Sequence, residues 1–362
     1  MRRMHRRVTP RPDLPALITG GAGFIGTNVA ARLLQSGRRV RIFDNLSRAG
    51  VEDNLRWLCD TFGDRVERVI ADVRDGAAVA QAVAGVGEVY HFAAQVAVTS
   101  SLDDPLFDFA VNAGGTLNLL EALRALPAPP PVLFTSTNKV YGDLEDVELV
   151  PDGDRYLPAD TDTRMTGISE QRPVDFHSPY GCSKGAADQY VLDYARTFGI
   201  PAVVFRMSCI YGPHQCGTED QGWVAHFVIR AIEDQPITIY GDGLQVRDLL
   251  YVDDLVDAML RAQAAMDTIA GEAFNIGGGP DRSTSLIELL AVLNALHGRE
   301  IAVAFDAWRD ADQRYYVTDA RKFAAATGWS PTVSVAEGVR ALHTWLTQMR
   351  TTAAPVPVTV AS

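Results

Sequence analysis

Cysteine is scarce in this 362-residue chain, and its four cysteines have neither the spacing of a metal site nor that of a disulfide framework. We therefore expect reduced thiols in a cytoplasmic protein, with no disulfide and no bound metal ion. Positive charge is also in deficit, with a formal net charge of -12. This charge argues against nucleic acid or an anionic membrane as a partner. No run of about 18 apolar residues occurs, which excludes a membrane-spanning helix.

The composition itself is ordinary for a soluble globular protein, with 47% apolar and 22% charged residues. The length is enough to bury a large core in one big or two modest domains. Residues 1–13 are arginine-rich but lack the apolar core of a signal peptide, so they are predicted to be a disordered leader. Residues 351–362 are predicted to be a disordered tail.

A glycine-rich turn opens the first strand–helix unit of the chain. The apolar segment 14–19 runs into the turn Gly20–Gly26, and a helix-like segment then leads to a second apolar run that ends in Asp44. The turn contains G-x-G-x-x-G, in which bare glycine backbone lets a pyrophosphate approach the N-terminus of a helix. A carboxylate at the end of the second strand binds ribose hydroxyls and repels a 2′-phosphate, so Asp44 favours NAD over NADP.

Strands and helices continue to alternate, which predicts an α/β fold, a Rossmann-type doubly wound parallel sheet with a smaller α/β C-terminal substrate lobe. Ligands of such sheets lie at the carboxyl ends of the strands. Arg48 either contacts a phosphate there or lies on the loop surface. The predicted cofactor-binding residues are Gly20, Gly23, Phe24, Ile25, Gly26, Asp44, Asn45, Ser47, Arg48, Asp72, Val73, Phe92, Ala93, Ala94, Gln95, Asn112, Thr135, Tyr180, Lys184 and Met207.

Tyr180 and Lys184 stand four residues apart at the start of a predicted helix, so they share one helix face. Tyrosine has a reference pKa of about 10, and a fixed cation nearby favours the phenolate and moves that pKa toward neutrality. The pair is therefore predicted to act as a general base. The other interpretation of this spacing is a solvated helix face with a snorkelling lysine.

Several strings resemble the extended short-chain dehydrogenase/reductases that modify nucleotide sugars, over residues 14–350. Within that group, STNKVYGDL and GTEDQGWVAHF most closely resemble the CDP-tyvelose (CDP-paratose) 2-epimerases. The resemblance implies that Thr137 is the catalytic hydroxyl donor, Tyr180 the acid/base, and Lys184 the group that orients the nicotinamide ribose and lowers the tyrosine pKa. The wider family is indicated by TGGAGFIG, HFAAQ, FTSTNKVYG, YGCSK and FRMSCIYGP.

The two residues after Thr137 distinguish between reactions. The related 4,6-dehydratases carry Asp-Glu at these positions, and the two carboxyl groups eliminate water across two sugar carbons. Asn138 and Lys139 cannot do that work, so simple redox epimerisation is favoured. The resemblance also places Cys209 at the sugar or nicotinamide.

Further substrate contacts are predicted in the C-terminal lobe. Trp223 and Val224 are expected near the nucleotide base, and Arg247 and Arg314 are expected to hold the diphosphate through their planar guanidinium groups. Each arginine has the alternative interpretation of a surface ion-pair partner. The insert 143–178 is predicted to be a lid over the sugar, with surface decoration as the other interpretation.

Residues 14–206 and 246–273 are predicted to form the NAD-binding domain, and 207–245 and 274–350 the nucleotide-sugar-binding lobe. The predicted activity is NAD-dependent epimerisation at C2 of a CDP-hexose such as CDP-paratose or CDP-tyvelose. A 4-epimerase, a 4,6-dehydratase and a silent NAD-binding scaffold remain as alternatives. By the resemblance, helices starting near Pro105 and Pro179 pair in a four-helix bundle, so a homodimer is expected, with a tetramer as a further possibility.

Overall fold

The computed structural model describes residues 10–309 and 312–353, so most of the predicted leader and tail lies outside the described residues. Two predictions about the ends are wrong where they overlap the described part. Residues 10–13 are placed against the body of the protein, where the Arg11 side chain donates a hydrogen bond to the Val86 carbonyl at 3.2 Å. Residues 351–353 belong to the last helix.

The strands of the described residues form four sheets. In chain order they are β1 (Ala16–Thr19), β2 (Val40–Asp44), β3 (Val66–Ile70), β4 (Glu88–His91), β5 (Val132–Thr137), β6 (Leu149–Asp152), β7 (Arg155–Pro158), β8 (Ala202–Met207), β9 (Cys209–Tyr211), β10 (Ile237–Tyr240), β11 (Val246–Tyr251), β12 (Ala273–Ile276), β13 (Ser283–Ser285), β14 (Val303–Asp306) and β15 (Tyr315–Tyr316).

The α-helices of the described residues cover both faces of the largest sheet and pack around the smaller ones. They are α1 (Phe24–Gln35), α2 (Val51–Phe62), α3 (Gly76–Ala82), α4 (Val98–Asp103), α5 (Pro105–Phe109), α6 (Gly115–Arg124), α7 (Thr161–Thr166), α8 (Ser178–Phe198), α9 (Trp223–Ile232), α10 (Val252–Ala264), α11 (Met266–Ile269), α12 (Leu286–His297), α13 (Arg321–Thr327) and α14 (Val335–Ala353). None of them is long and apolar enough to cross a membrane.

The central sheet has seven strands in the order β3-β2-β1-β4-β5-β8-β12, and every neighbouring pair is parallel. Strands such as β1 and β4 are buried along their whole length, as expected for parallel strands with helices on both faces. The order reverses at β1, so a crevice opens at the carboxyl ends of β1 and β4. The predicted Rossmann-type fold is confirmed.

The smaller lobe carries two further sheets, in which β10 pairs with β14 and β11 pairs with β9, β13 and β15. The predicted boundary at residue 246 is wrong, because β11 belongs to the sheet of this lobe. From Val252 the chain returns to the nucleotide-binding domain, where α10 packs on α1 and β12 completes the central sheet as far as Ile276. Phe323 and Trp329 pack into that same core.

The helix predicted from Pro105 to Ala125 is continuous but not regular. Between α5 and α6, the segment Ala110–Gly114 forms a π-helical turn, a feature found most often at functional sites. The turn contains Asn112 and changes which neighbours its side chain meets.

The insert 143–178 is folded and docked on the smaller lobe. Its hairpin β6–β7 is held by a hydrogen bond from Tyr156 N to Leu244 O at 2.9 Å and by the ion pair of Arg155 with Glu288. None of residues 143–178, all of which the structure describes, lines the central cavity. The lid prediction is therefore wrong, because the segment is an extension of the lobe wall.

Candidate active site

A cavity of about 1230 Å³ lies between the carboxyl edge of the central sheet and the smaller lobe. Its size suits a dinucleotide together with a second ligand, since pockets for drug-sized molecules are about 300–1,000 Å³. One half is lined by the glycine turn and the ends of β1 to β5, and we call it the cofactor half. The other half is lined by residues of β9, α9, β10 and β11 and by Trp308, Arg309 and Asp312, and we call it the substrate half.

The glycine turn of the cofactor half has no room for side chains. Gly20 has φ +67°, and a Cβ there would lie 2.7 Å from Ala93 N. A Cβ on Gly26 would lie 2.4 Å from Gly20 O. Gly23 caps α1 with no side chain on the first backbone N–H groups of the helix, so those donors remain available to an anion. The turn therefore fits the pyrophosphate of a dinucleotide.

Asp44 braces the same turn from the end of β2. Its carboxylate accepts hydrogen bonds from Ala22 N at 3.0 Å and Leu46 N at 2.9 Å, and the residue lines the cavity. Burial raises the pKa of Asp44, and these backbone hydrogen bonds oppose the rise. A carboxylate held in this way can accept two ribose hydroxyls.

All but one of the predicted cofactor-binding residues line the cavity. The exception is Asn112, which is buried behind the wall: its Oδ1 accepts from Gln95 N at 2.9 Å, and its Nδ2 donates to Ser183 Oγ at 3.0 Å. The prediction that Asn112 binds the cofactor directly is wrong. Its side chain instead joins the loop after β4, which contains Gln95, to α8.

The predicted catalytic residues converge where the two halves meet. Thr137 is the last residue of β5, and its hydroxyl lies close enough to the Tyr180 phenol to lower the pKa of that phenol. One helical turn beyond Tyr180, Lys184 is buried and donates from Nζ to Thr135 O at 2.6 Å. Pro179 at the start of α8 stabilises this helix terminus, so the backbone that carries the tyrosine and the lysine is fixed.

The pKa of Tyr180 differs from the sequence-based expectation. Burial raises it to about 12, the hydrogen bond to Thr137 lowers it, and the negative charge of Asp108 raises it further. Lys184 is itself desolvated, and burial lowers its pKa to about 8. The expectation that this lysine brings the phenol near neutrality is therefore wrong for the protein's own residues, because burial raises the pKa of the phenol.

Asn138 and Lys139 both line the cavity beside Thr137. Asn138 Nδ2 donates to Gln313 Oε1 at 3.0 Å, and Gln313 in turn donates to the Gly142 carbonyl at 2.6 Å. Burial and the nearby charge of Arg247 lower the pKa of Lys139 to about 8. The Asn138 amide is thus held by Gln313, and the Lys139 amine lies near the guanidinium of Arg247.

Cys209, Trp223 and Val224 also line the substrate half. The indole Nε1 of Trp223 points to the sulfur of Cys209 at 3.5 Å, and burial raises the pKa of the thiol. Cys209 is therefore a neutral, small group in the cavity wall.

The two predicted diphosphate arginines have different positions. Arg247 lines the cavity and is ion-paired with Asp312 at 2.8 Å. Arg314 does not line it and lies over the Trp308 ring, with its guanidinium carbon 5.0 Å from the ring centroid. The prediction for Arg314 is wrong, and Arg309, which was not predicted, is the arginine of this segment that lines the cavity. Other lining residues that sequence reasoning missed are Gln215, Tyr240, Gln245, Trp308 and Asp312.

Comparison with known proteins identifies the family to which this chain belongs. The NAD dependent epimerase/dehydratase family matches residues 16–277. The chain belongs to this family. One relative, the CDP-paratose 2-epimerase of Salmonella typhi, is 45% identical to this chain over 336 residues, which are 91% of this chain and 98% of the relative.

Two further relatives represent other reactions. The dTDP-glucose 4,6-dehydratase of Xanthomonas campestris is 31% identical over 348 residues, covering 91% of this chain and 92% of the relative. The structure of the UDP-glucose 4-epimerase of Thermus thermophilus in complex with NAD has a TM-score of 0.77 at 32% identity and covers 92% of this chain and 99% of that one. The predicted family, the NAD cofactor and the epimerase class are confirmed.

Proposed function

We propose that this protein epimerises a nucleotide-linked sugar at C2, with CDP-paratose and CDP-tyvelose, or a related CDP-hexose, as the exchanging pair. The choice of C2 and of a cytidine nucleotide rests on the similarity to the CDP-paratose 2-epimerase of Salmonella typhi. The observation that carries epimerisation is the hydroxyl pair of Thr137 and Tyr180, next to which positions 138 and 139 hold an amide and an amine.

In the proposed reaction, the chain handles the proton and positions the sugar. When bound at the glycine turn and Asp44, NAD+ would supply the hydride acceptor for C2, and its reduced form the donor for the return of hydride to the opposite face of the same carbon. Tyr180 would act as the phenolate, a form that the positive charge of a bound NAD+ nicotinamide would favour over its state in the protein alone; it would take the proton of the C2 hydroxyl and give it back, while Thr137 hydrogen-bonds the oxygen as it becomes a carbonyl. Protons and electrons balance within one turnover, so no external oxidant or reductant is needed.

Elimination of water needs an acid and a base in addition to the tyrosine. The neighbours of Thr137 do not provide such a pair, since the Asn138 amide cannot transfer a proton in this way and is tied to Gln313, which leaves Lys139 as the one titratable group of the two. A 4,6-dehydratase is therefore disfavoured. A 4-epimerase would use the same residues on another carbon, and the likeness to the Thermus thermophilus enzyme makes it the second candidate.

The diphosphate of the substrate is proposed to bind between Arg247 and Arg309. Both arginines line the substrate half, and each already has carboxylate partners, Asp312 for the first and Glu219 with Asp220 for the second. A phosphate can replace carboxylate contacts of this kind because it offers the same fork of oxygens to a guanidinium.

A homodimer is proposed through the helices beside the cavity. α5 and α8 pack against each other and leave Leu106, Phe109 and Phe198 exposed, with Leu106 84% accessible. Exposed apolar side chains along these helices favour association, and a two-fold pairing of the helices would cover them. Light scattering at micromolar concentration should report twice the chain mass, and a monomer would contradict the pairing.

The proposed reaction is tested with a panel of nucleotide sugars in deuterated water, with the products analysed by NMR. CDP-paratose should give CDP-tyvelose, with no deuterium at C5. Conversion only of UDP-glucose, with inversion at C4, would establish the 4-epimerase. Deuterium at C5 together with loss of water would establish a dehydratase. Conversion of no member of the panel, by protein that contains bound NAD, would contradict both epimerase assignments.

A further inference from the structure

Asp108 of α5 is a buried carboxylate to which the proposed reaction gives no role. Its side chain has no accessible surface. An aspartate is almost never buried in this way unless its charge is paired, because an isolated charge is costly to remove from water. Through Ser183, Asp108 contacts α8, the helix that carries Tyr180 and Lys184. The buried carboxylate therefore lies against the helical turn that holds the catalytic pair.

The hydrogen bonds of Asp108 suit an ionised carboxylate. The backbone N–H of Gln95 donates to Asn112 Oδ1, and this contact turns Asn112 Nδ2 toward Asp108 Oδ1, 3.1 Å away. The Ser183 hydroxyl donates to Asp108 Oδ2 in a short contact. Burial raises the pKa of Asp108, and the hydrogen bond from Ser183 and the charge of Lys184 lower it. Two neutral donors thus hold the carboxylate in one position, and neither of them cancels its charge.

The cation on which this charge acts is Lys184. Its Nζ donates to Thr135 O at 2.6 Å and lies 4.4 Å from the centroid of the Phe134 ring, and both of these groups are neutral. Burial lowers the pKa of Lys184 to about 8, and the charges of Asp188 and Asp108 oppose that fall. A buried amine stays protonated near pH 7 only when negative charge compensates for its lost hydration.

The other titratable groups around Lys184 do not replace Asp108. Asp188 accepts two hydrogen bonds from the guanidinium of Arg206, each 2.9 Å long, so its charge is largely balanced. Burial, and then the charge of Lys184, lower the pKa of His91 on β4 to about 3, so this imidazole is neutral at pH 7. Asp108 is therefore the carboxylate beside Lys184 whose own side-chain contacts are to neutral groups.

We propose that Asp108 is a positioning residue that acts through Lys184: its buried carboxylate is the counter-ion that keeps the amine charged and in place beside Tyr180. This inference rests on the proposed function for the use that Tyr180 and Lys184 serve. A negative charge favours a protonated amine and disfavours a phenolate, so Asp108 raises the pKa of both groups. Removal of the charge should therefore lower the pKa of both.

The test uses the three lysines of the chain, Lys139, Lys184 and Lys322, as reporters. The full chain with its NAD is labelled with 13C at the lysine Cε atoms, and each signal is titrated by NMR. Asp108→Asn should lower the pKa of Lys184 by about 1–3 pH units. The Lys139 signal is the internal control, because burial and the charge of Arg247 lower its pKa to about 8 without Asp108, and it should not move.

Two further variants separate charge from structure. Asp108→Glu keeps the charge and should leave the pKa of Lys184 close to that of the wild type. Asp193→Asn makes the same exchange further along α8, in an ion pair with Arg196, and should change neither lysine signal.

The pH profile of kcat supplies a second readout. Both of its limbs should move to lower pH in Asp108→Asn, because the phenol and the amine both lose a nearby negative charge. A defect that is only structural would lower kcat at every pH and leave the limbs in place.

An unchanged Lys184 titration in Asp108→Asn, or equal shifts of Lys184 and Lys139, would overturn the counter-ion. If Asp108→Asn did not fold, Asp108→Ser would take its place with the same expectation, and a Lys184 amine that is neutral at pH 7 in the wild type would contradict the proposal by itself. The titration uses no sugar, so a shifted Lys184 in a protein that converts no nucleotide sugar would remove the proposed function and leave the counter-ion standing. An unchanged Lys184 in an active C2 epimerase would remove only the counter-ion.

Discussion

The two halves of the cavity are built in different ways. The pyrophosphate end of the cofactor half is made of main chain from a short stretch of sequence: the turn Gly20–Gly26 is closed by its own carbonyls and braced by Asp44. The substrate half is made of side chains that come from distant segments, as the contacts of Asn138 with Gln313 and of Arg247 with Asp312 illustrate. The first site is formed by backbone atoms of the glycine turn, which we call the backbone cradle. The second is formed by polar side chains that pair with one another.

This difference has consequences for what each half tolerates. A backbone cradle is sensitive to added atoms, because the space that a ligand needs is the space that a Cβ would fill. A side-chain site is sensitive to removed groups, because each arginine or amide holds a partner that would be left unpaired in a partly buried place. The variants below test whether this contrast holds.

The largest effect is expected at Tyr180, where the two halves meet. Tyr180→Phe removes the proton acceptor and should lower turnover about 10²–10⁴-fold, while NAD stays bound through the glycine turn. Steady-state kinetics and the absorbance of copurified nucleotide measure the two properties. Tyr190→Phe, on an exposed position of the same helix, is the matched control. Loss of NAD in Tyr180→Phe would mean that the halves are not separable.

The cofactor half should fail when a single carbon is added. Gly26→Ala places a Cβ 2.4 Å from Gly20 O and should weaken NAD binding about 5- to 150-fold, the equivalent of the roughly 1–3 kcal/mol that overpacking costs. In Gly76→Ala the new Cβ meets Asn118 at an ordinary 3.5 Å, and NAD binding should be unchanged. Full NAD occupancy in Gly26→Ala would show that the cradle is not formed by bare backbone.

The substrate half should fail when a group is removed. Arg247→Ala deletes charge-assisted hydrogen bonds worth about 1.5–3 kcal/mol each and should raise KM for the nucleotide sugar about 10- to 100-fold, with NAD content unchanged. Arg261→Ala removes an exposed arginine paired only with Asp257 and should have no effect on KM. An unchanged KM in Arg247→Ala would remove this arginine from the substrate site.

The smallest effect is expected at Asp44, which serves the cofactor half through a side chain. Asp44→Asn keeps an acceptor for Ala22 N but loses the charge that repels a 2′-phosphate, so NAD should bind about tenfold more weakly and NADP relatively better. Calorimetric titration with both nucleotides measures the ratio. A ratio that does not move would indicate that the turn alone selects NAD.

The same contrast explains what could be predicted from the sequence. The turn, Asp44 and the pair Tyr180 and Lys184 are local patterns, in which residues a few positions apart on a strand end or a helix must lie together. The structure brings them to one cavity. Asn112 was misplaced because its side chain is buried behind the cavity wall, in a π-helical turn that no local pattern indicated.

The remaining errors arise from long-range pairing. Arg309 and Arg314 lie in one stretch of similar composition, and it is the pairing of Val246 N with Arg314 O, together with the start of β15, that leaves Arg314 outside the cavity. The pKa of Tyr180 was misjudged for a related reason, since the depth of burial around a phenol depends on the whole fold.

The central claim is that hydride leaves C2 of the sugar and returns to C2 within a closed site. It is tested most directly by placing deuterium on C2 of CDP-paratose and analysing the product by NMR. We predict that the deuterium stays on C2, that the configuration at C2 is inverted, and that solvent protons do not enter the carbon skeleton. Loss of the C2 deuterium to solvent, or its retention with inversion at C4, would contradict the account.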